Sequence, residues 1–414
     1  MLGLARSGEA AALVLARRGA AVVGVDRDRG IDAGRLRSAG VEVRLGADAD
    51  VSLLEGVEVL VKSPGVRREA PLVEAARHLG VPVWSEIELG ARLVAQPTVG
   101  VTGTNGKTTT SELLGAIFRA AGRPAAVCGN VGRPLCALDG TLRDEEAVVC
   151  ELSSFQLEDV ETLRCRVAVL LNVTLDHLDR HGNFASYRDA KLRIFENQRS
   201  EDVAVVPRGF DSGPGGLPGG GRRVEFAADD PLPAEPLIRG EHNRENSAAA
   251  AAAARAAGIP DEAIAEALRT FPGVPHRLER IREIDRVLFV NDSKATNPES
   301  AERALRSYDP GSLRVIMGGS RKGSSFAELA RVANEQRVVR VYLVGETAEE
   351  IATALADADV AHVGCGNLET AVRRAHAESQ PGEVVLLSPA CASFDQFRDF
   401  EHRGERFREL VEAL

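Results

Sequence analysis

Lysine is nearly missing from this chain: of 51 basic residues only five are lysine, and the rest are arginine. A sequence that relies on arginine for solubility and ion pairing keeps lysine where a compact ammonium or a titratable amine is required and a planar fork is not. Four of the five, Lys107, Lys191, Lys294 and Lys322, lie in the most motif-like segments, while Lys62 has no evident task. Paired cysteine spacings are missing too. Cys128, Cys136, Cys150, Cys165, Cys365 and Cys391 are scattered, which argues against a disulfide frame or zinc site and fits reduced, buried thiols. No stretch approaches the roughly 20 apolar residues that span a bilayer. The apolar run at 10–16 is bracketed by Arg6, Glu9, Arg17 and Arg18 without a cleavage-like site, so no signal peptide is expected. A net charge of -10 argues against a general nucleic-acid or anionic-membrane surface. A cytoplasmic protein without nucleic-acid or membrane partners is expected.

What is present is a repeating α/β pattern over 414 residues, enough for several domains. Short β-rich runs at 21–25, 57–61, 98–102, 147–150, 167–171, 203–206, 287–290, 315–317, 341–344 and 384–387 alternate with helical patterns. Such alternation favours parallel sheets with crossover helices. Breaks near 93–97 and at Phe271-Pro272-Gly273-Val274-Pro275 divide the chain into domains 1–93, 94–273 and 274–414. Residues 209–221, rich in glycine and proline, read as a surface loop of the second. At the amino end Gly3-Leu4-Ala5-Arg6-Ser7-Gly8 looks like the glycine turn after a first strand, yet only two residues precede it. Either that strand is missing or the true start lies upstream.

The second domain opens with Gly100-Val101-Thr102-Gly103-Thr104-Asn105-Gly106-Lys107-Thr108-Thr109, between a strand and a helix. Glycines let backbone N–H groups approach phosphate, the helix start favours anions, Lys107 can reach terminal phosphates and Thr108 can hold magnesium. Val101 takes the place of the first glycine of a strict Walker A loop. Glu151 follows the strand at 147–150, so its carboxylate is expected at the carboxyl edge of the sheet, where ligands of such sheets bind. Asn172-Val173-Thr174-Leu175-Asp176-His177-Leu178-Asp179 ends the next strand, and His177 there is a metal ligand or a capping residue. By spacing alone Lys191 is a surface lysine on a helix. In the third domain, Asn291-Asp292-Ser293-Lys294-Ala295-Thr296-Asn297, Gly318-Gly319-Ser320-Arg321-Lys322-Gly323 and Ser388-Pro389-Ala390-Cys391-Ala392-Ser393 each follow a strand, so three strand ends converge on one rim.

Taken together, these segments resemble the Mur ligase family, ATP-dependent amide ligases of peptidoglycan precursor synthesis, over essentially the whole chain. The Gly-Thr-Asn-Gly-Lys-Thr loop marks the family, and 291–297 with 388–407 look like the member that adds D-glutamate. The resemblance implies a three-domain α/β fold: a Rossmann-like UDP-substrate domain, a central P-loop-type ATPase domain with a parallel sheet, and a Rossmann-like domain for amino acid and nucleotide. It implies a monomeric enzyme whose partners are UDP-N-acetylmuramoyl-L-alanine and D-glutamate, with an acyl phosphate as intermediate. ATP would sit on Gly103, Thr104, Asn105, Gly106, Lys107, Thr108 and Thr109, with Asn243 and Asn246 at adenine and Arg277 and Asp292 at phosphate and ribose. Thr108, Glu151, His177 and a carbamylated Lys191 would hold Mg2+ at two sites, and Lys107, Glu151, His177 and Lys191 would be catalytic. The UDP-linked substrate would meet Arg6, Ser7, Ser63, Pro64, Gly65, Asn130 and Ser153. D-Glutamate would meet Lys294, Thr296, Lys322, Ser393, Phe394 and Phe400, two ammonium groups facing two carboxylates. The first domain departs from the family pattern: its leading strand is absent, Ala5 replaces a glycine, and Val25-Asp26-Arg27-Asp28 lacks a threonine-arginine pair. A folylpolyglutamate synthase-like ligase and a nucleotide-binding regulator without turnover are the other readings.

Overall fold

The structure, a computed structural model, describes residues 1–213, 215–321 and 325–414, leaving aside the side chains of Leu178 and Asp179. It divides into two compact units, Met1–Pro236 with His242–Phe271, and Leu237–Glu241 with Pro272–Leu414. No helix among the described residues is long and apolar enough to cross a membrane.

The first unit begins with two short parallel pairs, β1 (Val23–Asp26) with β2 (Glu42–Leu45) and β3 (Leu60–Lys62) with β4 (Val83–Ser85). Leu2 bridges in parallel to both Val25 and Lys62, so the first residues of the chain occupy the slot between β1 and β3. The Leu2 N–H donates to Val61 O at 2.8 Å, the Gly3 N–H to Val25 O at 2.8 Å, and Leu2 O accepts from Ser63 N at 2.9 Å. The expectation of an absent leading strand is corrected: a segment this short has no periodicity to read, but its backbone still fills the central position. The chain then turns into helix Arg6–Arg17, where any Cβ on Gly8 would collide with the Gly3 carbonyl.

The larger sheet of this unit contains β5 (Thr98–Thr102), β6 (Ala125–Gly129), β7 (Ala147–Glu151), β8 (Val167–Leu170), β9 (Val203–Pro207) and β10 (Arg222–Phe226). Their order is β10-β9-β8-β5-β7-β6, parallel throughout. All five residues of β5 are buried between β7 and β8, which is why Thr-Val-Gly-Val-Thr reads as a strand despite its central glycine. The chain leaves β5 for β6 at one edge and later returns to β8 on the other side, opening a crevice beyond the carboxyl end of β5.

The two sheets of the unit are fastened by buried carboxylates. Glu88, on helix Glu86–Leu93, accepts the N–H groups of Glu161, Thr162 and Leu163 at 2.8 to 3.2 Å, the Thr162 hydroxyl at 2.6 Å and Arg92 Nε at 2.7 Å. Glu86 accepts the Cys136 N–H at 2.8 Å, and burial pushes its carboxyl above the ordinary value.

The second unit carries β11 (Glu279–Ile284), β12 (Val287–Asn291), β13 (Leu313–Gly318), β14 (Arg340–Val344), β15 (His362–Gly366) and β16 (Val384–Leu387), in the order β11-β12-β16-β13-β14-β15. Only the β11–β12 pair is antiparallel. Val315, Met317, Leu343 and Leu386 pack on one face of the sheet, Ile316, Tyr342, Val385 and Leu387 on the other. Because both faces are covered, these strands are continuous apolar runs, and the sequence pattern locates them; the half-exposed edge strands β2, β10 and β15 lack that signal.

Glu88→Ala would leave three backbone N–H groups, the Thr162 hydroxyl and Arg92 Nε without this acceptor, at a cost of about 3–5 kcal/mol for breaking a buried charged cluster. Denaturant unfolding of the variant should show that loss with an unchanged slope; a change below about 1 kcal/mol would contradict the role given to Glu88.

Candidate functional site

Beyond β5 the chain makes a loop that two glycines permit. Gly103 has φ 156° and Gly106 has φ 83°, and a Cβ on Gly106 would overlap the Asn246 amide. The loop is tied to the segment after β8: Thr104 N donates to Asn172 O at 3.0 Å, Asn105 N to Asn172 Oδ1 at 2.9 Å, and Thr174 N to Thr104 Oγ1 at 3.0 Å. The Thr104 hydroxyl also meets the Tyr187 hydroxyl at 3.0 Å. Helix Lys107–Ala120 starts directly after the loop, with Thr108 and Thr109 buried in its first turn.

Two ammonium groups converge on this loop. Lys107 Nζ donates to Gly103 O and Thr104 O, each at 2.9 Å, and Lys191 Nζ donates to the same Gly103 O at 2.8 Å. Lys191 lies on helix Phe184–Leu192, and its residue is 1% exposed, so the expectation of a surface lysine is corrected. Its helix turns that face inward, with the ammonium 4.5 Å from the centre of the Tyr187 ring. Burial first, and the neighbouring Lys107 charge second, pull the Lys191 amine down to about 7 from an ordinary 10.5. Near neutrality a large share of it is therefore an uncharged nucleophile.

Glu151 is the last residue of β7 and is buried, with Oε1 accepting from Asn130 Nδ2 at 2.9 Å. His177 stands just before helix Leu178–His181, its carbonyl accepting the N–H groups of Arg180 and His181 while its imidazole is half exposed. That ring lies 3.5 Å from Asp176 Oδ2 and edge-on to Phe155 at 4.9 Å. Its neighbour His181 is buried, bonded to Ser154 Oγ at 3.0 Å, and burial together with nearby cations lowers it to about 4. Among the described residues no three of His, Cys, Asp and Glu form a ready-made metal cluster.

The residues expected for the UDP-linked substrate lie on the two sheets of the same unit. Ser7 Oγ meets Ser63 Oγ at 3.2 Å, and Arg6 donates to Asn130 O at 3.3 Å, so Asn130 touches both Arg6 and Glu151. Pro64 and Gly65 follow Ser63 in a partly exposed turn. Ser153 is spent on a capping box, with Gln156 N donating to its hydroxyl at 3.3 Å and its own N–H to Gln156 Oε1 at 3.0 Å. Asn243 and Asn246 are buried on helix Glu241–Ala256, Asn246 against Gly106. Lys62, without a task in the sequence, is wholly buried.

In the second unit the ends of β12, β16 and β13 are neighbours, and Arg403 binds the segments that follow β12 and β16. It is buried on helix Phe400–Glu412 and donates to Ser293 Oγ at 2.9 Å, Ser293 O at 2.9 Å, Cys391 O at 3.0 Å and Ala392 O at 3.3 Å. Ser320 N also donates to Ala392 O, at 2.9 Å. Burial lowers Arg403 to about 10. Asp292 accepts from Ser388 Oγ at 2.9 Å and Leu278 N at 3.2 Å, and burial raises it to about 7. Lys294 Nζ is 5.7 Å from the Phe400 ring centre, and Ser393 is buried while Phe394 is exposed. Arg277 and Thr296 are partly exposed. Lys322 lies outside the described residues. Sequence reasoning missed Arg403 and His276. His276 takes φ 62° and meets Asn291 Nδ2 at 3.0 Å; its position between two breakers and Arg277 was the available signal.

Three family models match in succession: a "Mur ligase family, catalytic domain" at 5–98, a "Mur ligase middle domain" at 101–212 and a "Mur ligase, glutamate ligase domain" at 276–391. A Myxococcus xanthus protein called UDP-N-acetylmuramoylalanine--D-glutamate ligase is 40% identical, the alignment covering 100% of this chain and 98% of that protein. A Geobacter metallireducens protein of the same name is 43% identical over 100% of this chain and 97% of its own. Among solved structures, the Thermotoga maritima UDP-N-acetylmuramate-alanine ligase shares the fold with a TM-score of 0.59 at 19% identity, covering 100% of this chain and 98% of that one.

With five lysines in the chain, a carbon-labelled lysine spectrum is simple enough to follow Lys191 alone. Its Cε resonance should titrate near pH 7, and Lys107→Met should move the midpoint upward by removing the like charge; a wild-type midpoint near 10.5 would refute the assignment. Between those values the unfolded chain holds a proton that the folded one does not, so Lys191 adds stability as pH rises through that window.

Proposed function

The chain belongs to the Mur ligase family, and from that premise we propose that it joins D-glutamate to UDP-N-acetylmuramoyl-L-alanine at the expense of ATP in peptidoglycan precursor synthesis. The observation that carries the reading is the buried Lys191 amine on the Gly103 carbonyl, beside Lys107 and at the carboxyl end of β5. The proposal assigns 1–93 to the UDP-linked substrate, 94–273 to ATP and 274–414 to amino acid and nucleotide, in a monomeric cytoplasmic enzyme.

In this reading the phosphates of ATP lie along 103–109, where the backbone N–H groups and the helix start attract anions and Lys107 swings from the loop carbonyls onto the terminal phosphate. The adenine rests by Asn243 and Asn246, and the burial of both, with Asn246 against Gly106 of the loop, supports the placement. The substrate carboxylate attacks the γ-phosphorus, ADP leaves, and the D-glutamate amine attacks the acyl phosphate carbon; phosphate departs and the nitrogen gives up a proton. The neutral Lys191 amine adds carbon dioxide and releases a proton, which turns an uncharged amine into an anionic oxygen donor; arginine has no such chemistry. Thr108, Glu151, His177 and carbamylated Lys191 are the oxygen and nitrogen donors that would hold magnesium, and the buried carboxylate of Glu151 suits a hard cation. Magnesium, when bound, offsets charge on the transferring phosphoryl group. Asp292 and Arg277 face ribose and phosphate. Lys294, Thr296, Lys322, Ser393, Phe394 and Phe400 receive D-glutamate, and the Arg403 clamp on Ser293 and Cys391 supports a fixed rim there.

Purified protein should release phosphate from ATP only when UDP-N-acetylmuramoyl-L-alanine and D-glutamate are both present. Equal turnover with L-lysine, diaminopimelate or L-alanine would sink the acceptor assignment, and no turnover with any acceptor would favour a regulator. Lys191→Ala should abolish activity, with partial return on adding acetate at high concentration; undiminished turnover in that variant removes Lys191 from the mechanism.

A further inference from the structure

Lys62 is the lysine that the proposed chemistry leaves unused, yet among the described lysines it is the one most completely withdrawn from water, at 0% exposure. It ends β3, immediately before Ser63-Pro64-Gly65. Its ammonium lies 2.9 Å from Asp159 Oδ2, 3.4 Å from Val66 O and 4.0 Å from Glu158 Oε2. Val66 O accepts a hydrogen bond and the two carboxylates are ion-pair partners, a sealed setting that suits a compact ammonium better than a planar guanidinium with five donors to satisfy. That is a physical reason for lysine here in a chain that otherwise uses arginine.

Arg180 shares two of these three groups. It donates to Val66 O at 2.9 Å and approaches Glu158 Oε2 at 3.7 Å. Its short helix, Leu178–His181, begins one residue after His177. His181 Nδ1 lies 3.4 Å from Glu158 Oε1, and Arg77 shares Asp159 with Lys62 at 2.8 Å. The Val66 carbonyl is thus a joint. Lys62 holds it from the first sheet and Arg180 from the His177 segment, with the buried carboxylate of Glu158 as their common counter-ion and that of Asp159 shared by Lys62 and Arg77. Removing one cation from such a cluster leaves buried negative charge uncompensated, and the parts it joins must shift.

We infer that Lys62 is a positioning residue for the UDP-linked substrate: by pinning Val66 O against Arg180 it holds the turn 63–66 in fixed relation to the His177 segment. The inference rests on the ligase reading and adds a residue which that reading does not use. Loosening the turn costs affinity for the molecule that spans it, and ATP, bound along 103–109, is spared.

The test measures kcat and separate KM values for UDP-N-acetylmuramoyl-L-alanine and ATP in the wild type, Lys62→Met and Asp159→Asn, each confirmed folded by circular dichroism. Lys62→Met should raise KM for the UDP-linked substrate roughly tenfold or more with KM for ATP within about twofold, since small misplacements of bound groups are costly. Asp159→Asn should do the same to a smaller degree, and it decides the matter if Lys62→Met does not fold. Unchanged KM for the UDP-linked substrate, or an equal rise for both substrates, overturns the inference. A wild type that releases no phosphate overturns the ligase reading instead, so the two failures are distinguishable.

Discussion

One backbone oxygen organises the site: the carbonyl of Gly103 accepts from both Lys107 and Lys191. Two full positive charges do not share a carbonyl cheaply when one of them is shut away from water, because the attraction of a dipole is small beside the lost hydration and the mutual repulsion. The buried amine is the one that yields its proton. Everything that makes this possible is local: the fully buried β5 that delivers Gly103, the glycine backbone that turns the carbonyl toward both lysines, and the Asn172 and Tyr187 contacts that keep the loop from relaxing.

The same economy recurs wherever a loop must stay put. Its six cysteines are all free thiols, and the loops are fixed by buried charges at the centre of several backbone groups. Glu88 gathers the N–H groups of 161–163, Arg403 gathers carbonyls from the ends of β12 and β16, and Lys62 with Arg180 gathers Val66. Each is strong only while complete, since a buried ion that loses its partners is far costlier than a missing surface pair. Such clamps give stiffness at strand ends, the places from which the proposed ligand contacts project.

How much of this the sequence discloses depends on what each residue's neighbours look like in one dimension. Strands buried on both faces, such as Thr98–Thr102 and Val384–Leu387, are apolar runs and stand out; β15, on a sheet edge, does not. The loop at 100–109 is legible because glycine, lysine and threonine occur together between a strand and a helix. Lys191 is not, since helical spacing looks the same whether a lysine faces water or a buried carbonyl; its rarity drew attention to it, and resemblance, not spacing, gave it a role. Arg403 hides among many arginines, and its partners Ser293 and Cys391 are 110 and 12 residues away. Lys62 shows the reverse case: its rarity was visible, but its purpose depends on Asp159 and Glu158, brought to it only by the packing of two sheets.

The central claim is that burial and Lys107 make Lys191 an amine ready to become an anion. Carbon-13 NMR of the protein in labelled bicarbonate near pH 8 tests it directly. A carbamate resonance that is present in the wild type and lost in Lys191→Met is the predicted result. No carbamate resonance in the wild type, or one that survives the loss of Lys191, would contradict it.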